Sequence, residues 1–399
     1  MRLEVRSPFA AALALVGVLL VHAACAQPLA DMLRLTPQAA APVTTQWIEY
    51  LDLTGFDLET EGWWEALALQ PGEGRLDMAI EASPERFGID LPGAQLLSFG
   101  APPGRALLVR VPYDPAKVHA ALSARGFEAT SSQDVDLYLL GADCAVDFAA
   151  GHDGDIFAGR LGKSVRLALL PGVLASSCSR ESSDQILAAH GGGTLSLFDA
   201  PSYRDLGELM GGWDEVDLEA DGPSRALFVR SHRELAEAAL AHGDPAQALF
   251  IGPGIGASLG GLDPAALLLL DPDLSPEQRR AELDALSGSA SAREPLPMYM
   301  AALLADFGPG EHTLLALHYA DLADAEAASQ VFEARLENFL PARLEGLRFT
   351  VETHVRAFER HGEVSAVVVA LVTFSESNTA FRTLVSGLWQ QDFAPLAVP

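Results

Sequence analysis

Lysine is almost missing from this chain. Lys117 and Lys163 are the only two, and with arginine they make 26 basic residues against 54 acidic ones. The resulting formal charge of −28 repels phosphate backbones and disfavours nucleic acid as a partner. Anionic membrane surfaces are disfavoured on the same ground. Scarce lysine beside abundant alanine reads as the coding bias of a GC-rich bacterial genome, which carries no functional information. Long apolar runs are also lacking. After Val21 none approaches the roughly 20 residues of a spanning helix, so no integral membrane segment is expected once the N-terminus is cleaved. Cysteine is limited to three residues, an odd number that leaves one unpaired in the full chain.

The N-terminus resolves that arithmetic. Arg2 and Arg6 precede an apolar or small-residue run from Phe9 to Val21, and Ala24 and Ala26 stand at −3 and −1 before Gln27. This is the pattern of a secretory signal peptide over residues 1–26, which predicts export to a periplasmic or extracellular space. Lipidation at Cys25 is the alternative, with Ala24 at −1 but His22 where a lipobox carries an aliphatic residue. Removal of Cys25 leaves Cys144 and Cys178, an even pair for which an oxidising compartment favours a disulfide over two buried thiols.

The element pattern predicts an α+β fold of two similar halves built on β-α-β-β units, with antiparallel or mixed sheets and helices on one face. In the first unit a strand at Arg105 to Val111 leads to Asp114 as N-cap, Pro115 in the first turn and a helix ended by Gly126. Strands at Phe127 to Ser131 and Val135 to Leu140 follow. A second strand-to-helix step runs from Ala265 to Leu270 into the capping box Ser275-Pro276-Glu277-Gln278. The third joins His312 to Tyr319 to a helix from Ala323 that Pro341 is expected to stop, then to an alternating strand, Leu347 to Phe358. Ala366 to Val372 is continuously apolar, as a strand covered on both faces requires. His361-Gly362 marks the hairpin between these two. Ser164 to Leu170 and Val173 to Ser177 also read as strands. The organisation expected is a flexible mature N-terminus at 27–46, a first α+β domain at 47–214 and a second at 215–399. The boundary falls in Gly211 to Pro223; the low-complexity Ser287 to Pro295 reads as an internal loop.

Few motifs point to chemistry, and no motif set marks a known family. Gly256-Ala257-Ser258-Leu259-Gly260 has the letters of a nucleophile elbow, and His190-Gly191-Gly192-Gly193 those of an oxyanion loop. A serine esterase would use Ser258, with Asp321 or Asp324 as acid and His361 or His354 as base. The context opposes it. Asp263-Pro264 interrupts the helix that an elbow needs, and His190 closes a helix that Gly191 caps. Gly162-Lys163-Ser164 lacks the first P-loop glycine, since Phe157 stands there, and runs into a strand. Gly252, Gly254 and Gly256 approach a dinucleotide fingerprint, but Pro253 removes a donor. Asp271, Asp273, Ser275 and Glu282 have calcium-loop spacing, yet Pro276 replaces the required glycine, and capping is the simpler role. His152-Asp153-Gly154-Asp155 reads as a polar turn, and the histidines lack zinc spacing. No cofactor or metal is expected. Aromatic residues are few, so the cluster of Trp47, Tyr50, Trp63 and Trp64 stands out, either as a platform for a partner or as core docked on the sheet. The expected protein is an exported, soluble, non-catalytic module that binds an unidentified ligand or envelope protein.

Overall fold

The computed structural model describes residues 28–38, 47–60, 63–100, 105–211, 245–252, 275, 278, 296–307, 312–344, 347–360, 362–374, 380–390 and 394–396. Twelve strands join in one sheet: β1 (Trp47–Asp52), β2 (Gln95–Phe99), β3 (Ala106–Arg110), β4 (Glu128–Ser132), β5 (Val135–Leu140), β6 (Val165–Leu170), β7 (Val173–Ser177), β8 (Gln247–Ile251), β9 (Ala301–Asp306), β10 (His312–Tyr319), β11 (Phe349–Arg360) and β12 (Glu363–Phe374). Their order is β11-β12-β10-β9-β8-β1-β2-β3-β7-β6-β5-β4. Every pairing is antiparallel. The fold is therefore α+β on a purely antiparallel sheet.

That order contains two copies of one path. Reading outward from the central β1–β8 pair, where Glu49 lies opposite Leu249, one half runs β8-β9-β10-β12-β11 and the other β1-β2-β3-β7-β6-β5-β4. The second list becomes the first when the β6–β7 hairpin is removed. Two inserted antiparallel strands preserve the direction of β5 relative to β3, so the insertion leaves the flanking topology intact. Among the described residues, β12 is followed by no counterpart of that hairpin or of the long connection before it, residues 141–164.

Side-chain parity fixes the layers. Ile48 and Tyr50 of β1 face one core, whereas Trp47 and Leu51 face the opposite side. The first face is covered by α1 (Pro28–Leu35), α4 (Arg180–His190) and α5 (Pro201–Gly211), through Met32, Leu187 and Leu206 among others. The opposite face carries α2 (Leu76–Phe87), α3 (Pro115–Ala124), α6 (Leu322–Arg343) and α7 (Ala380–Trp389). The two helices of the β-α-β-β units, α3 and α6, thus share a face. β12 shows why its apolar run is unbroken: Val367, Val369 and Leu371 enter one core while Ala366, Val368, Ala370 and Val372 enter the other.

Local signals act where the sequence places them. Asp114 accepts from Ala116 N–H at 2.9 Å at the start of α3. Ser275 and Gln278 exchange both bonds of the capping box, at 3.0 and 3.2 Å. Pro341 does not end α6, which continues to Arg343. The proline withdraws one donor close to the helix end, and beyond it Leu344 N–H still reaches Leu340 O at 2.8 Å. The strand-to-helix step beginning at Ala265, the domain boundary beyond Gly211 and the segment Ser287 to Pro295 lie outside the described residues, as does the signal segment. Among the described residues no helix is long and apolar enough to cross a membrane.

Cys144 and Cys178 are disulfide-bonded with Cα atoms 4.6 Å apart and a sequence separation of 34. Closing a loop of that length restricts the unfolded chain by about 4 kcal/mol in the chain-entropy model. Replacing both cysteines with alanine should lower the urea-unfolding free energy by about 3 to 4 kcal/mol, and recovery of both thiols alkylated from native protein would disprove the bond.

Candidate functional site

Three features flagged in the sequence meet in the connection 141–164: Cys144 with its bond to Cys178 beyond β7, the His152–Asp155 turn and the Gly162-Lys163-Ser164 letters. The connection has a buried part and an exposed part. Ile156, Phe157 and Ala158 are core residues, and Phe157 meets Phe87 edge-on at 4.7 Å. Asp155 is fully buried; its Oδ1 accepts the N–H groups of Phe157 and Ala158 at 3.1 and 2.8 Å. Its Oδ2 accepts from Arg86 at 2.9 Å and Arg125 at 2.5 Å. Arg125 also lies over the Phe87 ring at 4.6 Å, so the clamp is packed as well as charged.

The remaining letters have structural roles. His152 Nδ1 accepts Gly154 N–H at 3.0 Å, which makes that segment a side-chain-closed turn. Lys163 pairs with Glu73 at 2.7 Å. Gly162 has φ +58°, and a Cβ there would sit 2.0 Å from the carbonyl oxygen of Asp147, so no other residue fits. A cavity of about 20 Å³ lies beneath, lined by Glu73, Ser98, Arg105, Lys163, Ser176 and Cys178 among others.

The outer arm, residues 143–150, crosses the returning chain antiparallel. Asp147 N–H donates to Gly162 O at 3.1 Å and Ser164 N–H to Ala145 O at 2.8 Å. Cys144 N–H donates to Cys178 O at 3.0 Å, beside the disulfide. This frame holds three apolar side chains in solvent: Phe148 at 75% exposure, Val146 at 46% and Leu161 at 43%. Asp143 stands at the start of the same arm. Hydrogen bonds from Arg166 and from Arg180 N–H hold its carboxyl below the usual carboxylate range. Asp143, Arg180, Glu181, Asp184, Gln185, Ala188 and Thr194 line an open groove of about 550 Å³ beside the arm.

A second buried polar cluster joins α5 to the sheet. Asp205, fully buried, accepts from Ser365 Oγ at 2.6 Å and Arg360 Nε at 3.2 Å, and bonds His318 Nε2 at 2.9 Å. Serine, histidine and aspartate are all present, but both Ser365 and His318 bond the same oxygen, Asp205 Oδ2. In a nucleophilic triad the histidine must contact the serine, whereas here the aspartate is the hub, so the cluster is a tether.

Ser258 and His361 lie outside the described residues. Asp321 accepts Asp324 N–H at 2.8 Å as the N-cap of α6, which commits it to the helix start. His354 is half-buried on β11, and its pKa is pushed down by burial. His190 ends α4 and Gly191 N–H caps it onto Leu187 and Ala189 carbonyls. Among the described residues no group of three or more histidine, cysteine, aspartate or glutamate side chains is placed to hold a metal. Of the aromatic cluster, Tyr50 is core, Trp47 stacks on Trp389 at 4.4 Å and Trp64 is exposed.

No family model and no curated protein matches this chain. The solved structure of crystal form I of TP0453 aligns over 89% of this chain and 97% of that one, at 10% identity and a TM-score of 0.32, a likeness too slight to argue from.

Sequence reasoning missed Phe148, Asp205, His318, Ser365 and Arg360. For His318 a signal existed: it interrupts the otherwise apolar second half of β10.

Proposed function

We propose that this protein is an exported, non-catalytic binding or envelope-associated module, and that the outer arm of the 141–164 connection is its binding surface. One observation carries the reading: an exposed phenylalanine stands on a frame secured by a disulfide, a buried carboxylate clamp and an ion pair. Long ordered connections without regular structure are uncommon in compact domains and are usually functional, and exposed apolar groups held rigidly lose little entropy on binding. The wiring of the Asp205 cluster and the capping role of Asp321 support a non-catalytic protein.

A photo-crosslinking residue in place of Phe148 is expected to form a discrete adduct in intact cells, where one in place of the exposed Glu85 forms none. Absence of an adduct from folded, exported protein would overturn the surface assignment. The mature protein should also resist fluorophosphonate labelling; labelling abolished by Ser258→Ala would establish a secreted serine esterase instead.

A further inference from the structure

We infer that the partner of the outer arm is a cationic amphipathic segment of another protein, an inference that rests on the arm being a binding surface. One acid without an ion pair stands between apolar side chains of the arm, and another lines the groove that begins at Asp143. Asp147 separates Val146 from Phe148, and its Oδ1 accepts only the local Ala149 N–H at 3.0 Å, with no cation beside it among the described residues. Glu181, in the adjoining groove, accepts a long 3.5 Å bond from Gln185 and has no ion pair among those residues. The cations nearby are engaged: Arg166 with Asp143, Arg180 with Asp184 at 3.6 Å, and Arg160 with Asp153 at 3.0 Å.

Complementarity then selects the occupant. A second copy docking by the same arm would bring Asp147 and Phe148 of each copy together around a two-fold axis, doubling an unpaired charge at the contact. Anionic lipid meets the same local acids and a chain charge of −28. A segment carrying lysine or arginine beside leucine or phenylalanine satisfies both halves of the surface: its apolar residues cover Val146, Phe148 and Leu161 while its cations meet Asp147 and Glu181.

The test uses the full mature protein and two synthetic peptides, one alternating leucine and lysine and one alternating leucine and glutamate, titrated at low and high salt. The lysine peptide should bind and the glutamate peptide should not. Phe148→Ser, whose folding is checked by its melting curve, should weaken binding about tenfold or more, as loss of a central aromatic anchor does. Asp147→Asn should weaken it severalfold at low salt, with the difference shrinking as salt screens the charge. Equal binding by wild type and Phe148→Ser would mean that overall charge alone attracts the peptide, and would overturn the inference. Binding of neither peptide would overturn it too. Crosslinking at position 148 separates the two levels: an adduct without lysine-peptide binding removes only the partner's charge, while no adduct removes the surface itself.

Discussion

Asp155→Asn is expected to destabilise the protein by about 3 to 5 kcal/mol, the range for removing one partner from a buried ionic cluster. Wild-type Asp155 is fully buried and gives one oxygen to two backbone N–H groups and the other to two guanidinium groups. An amide of the same shape keeps an oxygen for one pair of donors and turns an NH₂ group toward the other pair. Arg86 and Arg125 are then left close together without the anion between them. Burial already pulls the Arg125 pKa down, and the Asp155 charge opposes that. The motif supplies its own control. Asp153, two residues earlier, pairs with Arg160 at 3.0 Å where that arginine is 78% exposed. Asp153→Asn should therefore change stability by less than about 1 kcal/mol. Urea unfolding of both variants, with limited proteolysis of the 141–164 connection, reads the difference. An Asp155→Asn protein within about 1 kcal/mol of wild type would show that the clamp is not what fixes the arm.

The contrast between those two aspartates shows which parts of the molecule the residues announce. Local rules were legible. Asp114 and the Ser275–Gln278 pair are capping signals whose partners lie two or three residues away, so nothing distant intervenes. The apolar run of β12 announces burial on both faces, and Cys144 and Cys178 are the pair left once Cys25 is set aside with the expected signal segment. Pairings at long range were not legible. β1 meets β8 about two hundred residues downstream, and no residue in Trp47–Asp52 specifies that neighbour rather than another apolar strand. The β6–β7 hairpin likewise gives no sign that it enters the sheet between β3 and β5. Buried polar sites were hidden for a related reason. An aspartate at the surface and one at the hub of four donors are the same letter, and only the packing of Arg86 and Arg125, remote in sequence, distinguishes Asp155. Phe148 was hidden conversely, because a lone aromatic letter in a connection reads as core until the frame turns it outward.

Asp205→Ala should cost as much as Asp155→Asn, about 3 to 5 kcal/mol, but with a different pH signature. Burial pushes the Asp205 carboxyl up. Hydrogen bonds from His318 and Ser365, with the charges of His318 and Arg360, outweigh that and leave its pKa below the usual carboxylate range. The sign follows from linkage. A carboxyl whose folded pKa lies below its unfolded one contributes stability that is fully present above the unfolded value and is lost as pH falls through the folded one. The wild-type protein should therefore lose this contribution only on the acid side, below about pH 4, and Asp205→Ala should be flatter over that interval. Above that interval the wild-type protein keeps the contribution in full. Because the carboxylate ties α5 to β10, β11 and β12 at once, the same substitution should speed exchange of backbone amides in Pro201–Gly211 more than in α3, which it does not touch. Uniform acceleration across both helices would mean that Asp205 supports the whole sheet. Acceleration confined to α5 identifies it as the tether that closes the first face.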